Sequence, residues 1–186
     1  MDIFFIADKS NDMRKIVLAL AVSLEGFIEG PRGEFDWCFT DQDYGMAGFL
    51  KDVDAILYGR KSYEVMMRME GGNPFANIKG YVFSNTLKKT AEGFELVNGD
   101  IIGQVRSLKA AAGKNIWLFG GASLTSSLMN EDLVDEVWLS IHPILLGAGK
   151  PFVQNLKKRA QLQLLETKSY TTGLLSARYK VINKAG

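Results

Sequence analysis

The fold class is decided by the stretch Ile16-Val17-Leu18-Ala19-Leu20-Ala21-Val22. It is continuously apolar, contains β-branched residues and lacks polar alternation, which is typical of a strand buried on both faces. Such strands belong to parallel sheets that carry helices on both sides. The stretch therefore predicts an α/β domain built around a central, mostly parallel sheet.

The pattern on either side of this stretch supports the same fold class. Short apolar runs predict further strands at 55–58, 81–84, 94–97 and 116–119, and an alternating pattern predicts one at 134–142. Helical spacing fills most of the intervals between these strands. Helices are predicted from Tyr44 to Val53 with Asp41 or Asp43 as cap, from 60 to 67, from Asp100 to Gly113 with an inner face of Ile101, Val105, Leu108 and Ala112, and after Gly121. Leu162 to Tyr170 and Leu174 to Ile182 predict an antiparallel pair at one edge, so the sheet is mixed.

Length and composition fit one globular domain. The chain has 186 residues, of which 47% are hydrophobic, and its net charge is +1, values that are ordinary for a single domain. Residues 1–13 are interpreted as a tail, whose apolar Phe4-Phe5-Ile6 we expect to dock on the body or on a partner subunit. Residues 14–186 are interpreted as the domain.

The charge and the rare residue types exclude several classes of function. The near-neutral balance argues against a nucleic-acid binder, and no apolar run is long enough to span a membrane. One cysteine and one histidine exclude an intrachain disulfide, a cysteine-rich zinc site and a multi-histidine metal centre. We therefore expect a cytoplasmic protein without a metal, whose chemistry depends on carboxylates, hydroxyls, backbone amides, cations or a bound cofactor.

Three junctions that follow predicted strands are candidate phosphate-binding sites, because ligands of open α/β sheets bind beyond the carboxyl ends of the strands. At Gly120-Gly121-Ala122-Ser123 the glycines either admit a phosphate to the helix amides or only let the helix pack closely. At Gly59-Arg60-Lys61-Ser62 two cations stand at a helix start, either for a phosphate or as a solvated pair. At Ser84-Asn85 the hydroxyl and amide groups either bind a ribose phosphate or only form a turn. Together the junctions predict an extended, phosphate-rich ligand, for which a dinucleotide is the economical choice.

Five motifs in order carry a family resemblance. They are Ala21-Val22-Ser23-Leu24-Glu25-Gly26-Phe27-Ile28, Tyr58-Gly59-Arg60-Lys61-Ser62-Tyr63-Glu64, Phe83-Ser84-Asn85-Thr86-Leu87, Trp117-Leu118-Phe119-Gly120-Gly121-Ala122 and Asp135-Glu136-Val137 through Pro143 to Gly149. Over roughly residues 14–182 the chain resembles the dihydrofolate reductase-like family. The branch it is most similar to is the C-terminal reductase domain of the bifunctional riboflavin-biosynthesis deaminase/reductase.

The resemblance implies a three-layer α/β/α fold, bound NADPH and a homodimer. It implies that Gly59, Arg60, Lys61 and Ser62 line the adenosine-phosphate end, that Ser84 and Asn85 lie near the 2′-phosphate, and that Gly120, Gly121, Ala122 and Ser123 hold the pyrophosphate. It places Ser23, Phe27 and Trp37 at the substrate and Glu25 in the catalytic position, where the family commonly has Asp. The single cysteine and histidine cannot supply the zinc site of the deaminase half, so only the reductase half is represented.

The implied function is NADPH-dependent hydride transfer to a small heterocyclic or ribosylamino substrate. The nearest named reaction is reduction of 5-amino-6-(5-phosphoribosylamino)uracil in riboflavin biosynthesis, with Glu25 as proton donor or substrate-orienting group. The alternatives are a dihydrofolate or pterin reductase, and a non-catalytic NADP-binding dimeric module. We interpret His142 as structural, because a lone histidine has no partner for metal or triad chemistry.

Overall fold

The central sheet of the protein is mixed, with a long parallel part and an antiparallel edge. A computed structural model describes residues 13–69 and 72–182, so the predicted role of Phe4-Phe5-Ile6 lies outside the described residues. The elements in chain order are β1 (Ile16–Ser23), β2 (Phe27–Glu29), α1 (Met46–Lys51), β3 (Val53–Gly59), α2 (Arg60–Met66), β4 (Lys79–Phe83), β5 (Phe94–Val97), α3 (Ile101–Ala110), β6 (Asn115–Gly120), α4 (Ala122–Asn130), β7 (Glu136–His142), β8 (Lys150–Pro151), β9 (Gln161–Ser169) and β10 (Leu175–Ile182).

The strand order confirms the predicted topology. The main sheet runs β5-β4-β3-β6-β1-β7-β10-β9. The first six strands of this order are mutually parallel, whereas β10 runs antiparallel to β7 and to β9. The strand predicted from Ile16 to Val22 is β1, which lies between β6 and β7 and has helices packed on both of its faces. This central position explains why its sequence carries no polar alternation.

Two apolar clusters, one on each face of the sheet, complete the three predicted layers. Val105 of α3 and Leu128 of α4 pack with the β1 residues Ile16 and Leu18 on one face. The other cluster joins α1 and α2 to the opposite side of the same strands. Its members include Phe49, Tyr63, Met66, Val17 and Ala19.

The boundaries of two predicted helices are wrong. The helix predicted from Tyr44 to Val53 starts only at Met46, because Tyr44 has a left-handed φ of 50° and Val53 already belongs to β3. Asp43, one of the two proposed caps, does accept the backbone N–H of Ala47 at 2.7 Å.

The helix α3 is capped as predicted by Asp100, whose side chain accepts the Gly103 N–H. It ends at Ala110, before Gly113, so Ala112 is exposed and is not part of the inner face.

Charged side chains at the amino end of the central strands serve the fold. Glu136, at the start of β7, is 4% exposed and is bonded to Lys15 at 2.9 Å and to Arg178 at 2.6 Å. Burial alone would raise the pKa of Glu136, but hydrogen bonds from these two cations lower the pKa below its usual value. These pairs connect the residue before β1 to β7 and β10, at the end of the strands opposite to the candidate site.

Candidate functional site

The predicted site residues follow strand ends that share one edge of the sheet. Ser23 lies opposite His142 in register, Gly59 lies opposite Phe83, and Gly120 pairs with the neighbour of Gly59 in β3. Parallel strands bring their carboxyl ends to the same edge, so the three candidate junctions and the Ser23 loop open onto a common surface.

A cavity of about 420 Å³ lies at this edge. A volume of this size suits a small organic ligand or part of a larger one. Of the predicted site residues, Lys61, Ser62, Gly120 and Gly121 line the cavity. The remaining lining is mainly aromatic and aliphatic, with polar groups from Glu29, Gln42, Asp43, Thr125, Ser140, His142 and Lys150.

The junction between β6 and α4 is shaped by two consecutive glycines. Gly120 has φ 123° and Gly121 has φ 99°, backbone conformations that favour glycine. Gly121 is the N-cap of α4 and supplies no side-chain cap, so the first amides of the helix have no side-chain acceptor from that position. Helix amides beside a cavity and a favourable helix dipole can bind an anion there.

The two glycine junctions touch each other. A Cβ placed on Gly121 would lie 3.4 Å from the Cα of Gly59 and 3.4 Å from the Ser62 Oγ. A Cβ placed on Gly59 would lie 3.3 Å from the carbonyl oxygen of Gly120. The glycines therefore let the starts of α2 and α4 approach closely, and both interpretations of Gly120-Gly121, anion binding and close packing, fit this contact.

Thr125, in the first turns of α4, adds an unsatisfied polar group to the same wall. It is 1% exposed and lines the cavity, and its Oγ1 is a buried hydroxyl oxygen without a hydrogen-bond partner among the described residues. Burying an unpaired hydroxyl costs free energy, so such groups usually have a partner. Neither the glycine pattern nor the apolar pattern of α4 identified this residue in the sequence.

The two cations of α2 have different surroundings. Arg60 is bonded to Glu64 at 2.7 Å, one helical turn away, and does not line the cavity. Lys61 is exposed, lines the cavity and forms no ion pair with any described residue. Lys61 is therefore better placed than Arg60 to meet an anionic ligand in the cavity.

Ser84 and Asn85 form a turn outside the cavity lining. The Ser84 Oγ accepts the backbone N–H groups of Thr86 at 3.2 Å and Leu87 at 3.0 Å. Asn85 Oδ1 accepts the Gly99 N–H at 3.2 Å. These bonds match the turn interpretation of the motif, and the predicted contact with a 2′-phosphate stays a prediction.

The substrate-side residues of the β1 loop also lie outside the cavity lining. Ser23 is 1% exposed and accepts the Phe27 N–H at 3.2 Å, while Phe27 packs beside the β7–β8 loop. Glu25 accepts the Leu146 N–H at 2.6 Å and the Gly147 N–H at 3.1 Å. Its carboxylate therefore ties the β1–β2 loop to a loop about 120 residues further along the chain.

Aromatic rings outside the predicted site residues form much of the cavity wall. Phe35 and Phe39 line it although 40% and 37% of their surfaces are exposed. Trp37, the predicted substrate residue between them in the chain, is not part of the lining, and its Nε1 is buried and has no hydrogen-bond partner among the described residues. The further rings of the wall are Tyr44, Phe75, Trp117, Phe119, Trp138 and Phe152. The concentration of aromatic residues at 35–44 is the available sequence signal.

Glu29 and Lys150 bring an ion pair into the cavity. Their side chains lie 3.1 Å apart and face each other across β2 and β8, which form a separate two-stranded antiparallel sheet. Neither segment was predicted from the sequence to form a strand, so this pair was not among the predicted site residues.

The two rare residue types also lie at the cavity. Burial raises the pKa of the Cys38 thiol to about 11, so it stays protonated near neutral pH and is a poor nucleophile. Burial lowers the pKa of His142, which is 2% exposed.

Among residues 13–69 and 72–182 no group of three acidic, histidine or cysteine side chains is arranged to hold a metal ion. Within the same ranges, no helix has the length and hydropathy needed to cross a bilayer.

A family model and a curated relative match most of the chain. The model described as the RibD C-terminal domain matches residues 14–176. The uncharacterized protein YyaP of Bacillus subtilis is 41% identical over 177 residues, which cover 89% of this chain and 94% of YyaP.

Solved structures share the fold. A protein of Shewanella sp. PV-4, provisionally named a riboflavin biosynthesis protein, superposes with a TM-score of 0.82 at 24% identity, over 91% of this chain and 99% of that one. Dihydrofolate reductase from Enterococcus faecalis, complexed with NADP(H), superposes with a TM-score of 0.62 at 14% identity, over 91% of this chain and 96% of that one. The similarity confirms the dihydrofolate reductase-like fold.

Proposed function

The chain belongs to the RibD C-terminal domain family, and from that premise we propose that it is an NADPH-dependent reductase of a small heterocyclic or ribosylamino substrate. The nearest named reaction is reduction of 5-amino-6-(5-phosphoribosylamino)uracil. The observation that carries the proposal is one cavity that joins the glycine junction and uncapped start of α4 to an aromatic wall. One end of this cavity suits a phosphate-bearing cofactor, and the other suits a flat substrate.

The residues present fit the cofactor. Gly120 and Gly121 leave space that a side chain would fill. The first amides of α4 can donate hydrogen bonds to a phosphate. The Thr125 hydroxyl, which has no partner among the described residues, can form a further hydrogen bond with the cofactor. Lys61 and Ser62 would complete this end of the cavity. The predicted roles of Gly59, Arg60, Ser84, Asn85, Ala122 and Ser123 remain part of the proposal, to be tested residue by residue.

NADPH, when bound, supplies the hydride for reduction of an electrophilic carbon. The protein residues orient the substrate against the aromatic wall and exclude water, which favours transfer by proximity. Glu25 accepts two backbone N–H groups of the β7–β8 loop, a contact that favours an orienting role over direct proton donation. Lys150, which is paired with Glu29 at 3.1 Å in the cavity lining, is a second side chain that orients the substrate.

A binding and turnover experiment tests the proposal. Calorimetry with NADPH and NADH measures the cofactor preference, and NADPH oxidation is then followed with the ribosylaminopyrimidine phosphate and with dihydrofolate. We expect NADPH to bind and the ribosylaminopyrimidine phosphate to be reduced. A protein that binds no NADPH refutes the cofactor assignment. Binding of NADPH without turnover of either compound rejects these two substrates and keeps the cofactor assignment. A wider substrate screen, with Glu25→Gln as the comparison, then separates a reductase of another substrate from a non-catalytic NADP-binding module.

A pterin is the second candidate substrate, and the aromatic wall favours it. Flat rings bind well between aromatic side chains, and Phe35, Phe39 and Trp138 all line the cavity. Turnover of dihydrofolate, with inhibition by methotrexate, would identify this activity in place of the riboflavin-type reaction.

A homodimer in the cytoplasm completes the proposal. All nine residues of the edge strand β9 are exposed, including Leu162, Leu164 and Leu165, and exposed apolar edge strands favour pairing with another chain. We expect light scattering to show a dimer at micromolar concentration and Leu164→Glu to weaken it. Leu156→Glu, at an exposed leucine outside β9, is the control. A monomeric wild-type protein would refute the dimer.

A further inference from the structure

We propose that His142 is a positioning residue, which holds the segment 37–39 so that Phe39 forms a wall of the substrate end of the cavity. The inference rests on the proposed function for the identity of that end. His142 was interpreted from the sequence as structural, and the contacts of its ring assign it a more specific task.

His142 lies where the sheet and the cavity meet. It is the last residue of β7, pairs in register with Ser23 of β1 and is 2% exposed. It also lines the cavity together with Phe39 and Ser140. The backbone of His142 is therefore fixed by the central sheet, while its ring reaches the cavity wall.

The hydrogen bonds of the ring define its chemical form. The backbone N–H of Phe39 donates to Nε2 at 3.0 Å, so Nε2 carries a lone pair. Nδ1 lies 3.0 Å from the carbonyl oxygen of Ser140 and must then carry the proton that it donates. Both nitrogens of a neutral imidazole are satisfied by backbone groups, and burial favours the same neutral form by lowering the pKa.

The same ring organises the aromatic side chains around it. The Trp37 ring meets His142 edge-on at 5.3 Å between centroids, and the Phe39 ring is tilted against it at 5.0 Å. Phe39 in turn stacks on Tyr44 at 6.3 Å. Such pairs stabilise a defined arrangement of the rings beyond the area that they bury.

The segment that His142 holds has no regular structure of its own. Residues 34–45 contain neither helix nor strand, and Phe39 remains partly exposed to solvent. Segments of this kind move easily unless tertiary contacts fix them. The bond from Phe39 to His142 ties it directly to the central sheet, across 103 residues of chain.

Loss of this hydrogen bond should weaken substrate binding and leave cofactor binding unchanged. The proposed cofactor contacts of Gly121 and Thr125 lie at the start of α4. His142 lies at the end of β7, and Phe39 lies in the segment that is hydrogen-bonded to it. A displaced Phe39 changes the wall against which the substrate is aligned, and misalignment lowers reaction efficiency.

Two variants and a matched control test the inference. His142→Phe keeps a ring but removes the acceptor, whereas His142→Gln retains an oxygen that can accept the Phe39 N–H. Tyr63→Phe is the control, because the Tyr63 hydroxyl also accepts one backbone N–H, that of Ala91 at 2.9 Å, away from the cavity. Amide exchange of Phe39, the Kd of NADPH and the KM and kcat of the reduced substrate are measured in each variant.

We expect His142→Phe to speed amide exchange of Phe39 about tenfold or more and to raise KM by about the same factor, since a partly buried N–H group loses its acceptor. The Kd of NADPH should stay within about twofold, His142→Gln should recover part of both losses, and Tyr63→Phe should change neither. Unchanged Phe39 exchange, or equal losses of NADPH and substrate binding, would overturn the inference. Wild-type protein that binds no NADPH refutes the proposed function instead, and Phe39 exchange still decides whether His142 holds the segment.

Discussion

Replacing Gly121 by alanine separates the two interpretations of the β6–α4 junction. The backbone of Gly121, at φ 99° and ψ 110°, lies in a region that residues with a Cβ rarely adopt, and holding alanine there costs about 1–3 kcal/mol. The new Cβ would stand 3.4 Å from the Gly59 Cα, the near limit of ordinary contact, so the contact adds little to this cost. The backbone strain, and not the new contact, therefore determines how much free energy Gly121→Ala costs.

This free energy is divided between two measurable changes. Strain that the folded protein retains lowers the Tm, by about 2–12 °C if the full 1–3 kcal/mol is retained. Strain that the junction relieves by leaving the shape that binds the pyrophosphate must be restored on binding, and it raises the Kd of NADPH by about 5- to 150-fold if all of it is relieved. Thermal unfolding and calorimetry measure the two changes separately.

Gly93→Ala is the matched control. Gly93 has a similar φ of 85°, and a Cβ there would meet no atom within 4 Å. It precedes β5 and does not line the cavity. We expect it to lower the Tm and leave the Kd of NADPH unchanged. If Gly121→Ala also lowers the Tm without changing the Kd, the junction serves packing alone and its assignment to the cofactor is wrong.

Three further predictions concern single side chains. Thr125→Val should raise the Tm, because it removes an unpaired buried hydroxyl, and should weaken NADPH binding about 2- to 10-fold by calorimetry; equal affinity would show that the hydroxyl meets no ligand. Glu25→Gln should speed amide exchange of Leu146 and Gly147, since a charged acceptor is lost; a loss of kcat with unchanged exchange would instead identify a proton donor. Folding lowers the pKa of His142, so below the ordinary value of 6.5 the unfolded state binds more protons than the folded state. The free energy of unfolding of the wild-type protein should therefore fall more between pH 6.5 and 5 than that of His142→Gln, as measured by denaturant titration.

The parts of the fold that sequence predicted well depend on local pattern. The apolar run from Ile16 to Val22 needs burial on both faces and is the central strand β1. Asp100 caps α3 because its carboxylate reaches an amide three residues ahead. Gly59 and Gly121 could be selected from the sequence because Gly59 is the last residue of the buried strand β3 and Gly121 directly follows the buried strand β6.

The parts that sequence did not predict depend on distant pairing. The sheet of β2 and β8 has three and two residues in its strands, too few for a periodic signal, and its strands lie about 120 residues apart. Glu25 likewise has its hydrogen-bond partners in the β7–β8 loop, about 120 residues away, and nothing in its sequence surroundings indicates them. Ala112 fits the spacing of a helix face, but α3 ends before it.

The contact between Gly59 and Gly121 limits which substitutions the junction can accept during evolution. A methyl group on either residue would enter the gap that the other backbone leaves, so two such substitutions would compete for one space. Their penalties should exceed the sum of the single effects, since contacting positions are not additive. Natural variation should therefore treat the two positions as a coupled pair, and a library that randomises one of them should hold the other fixed.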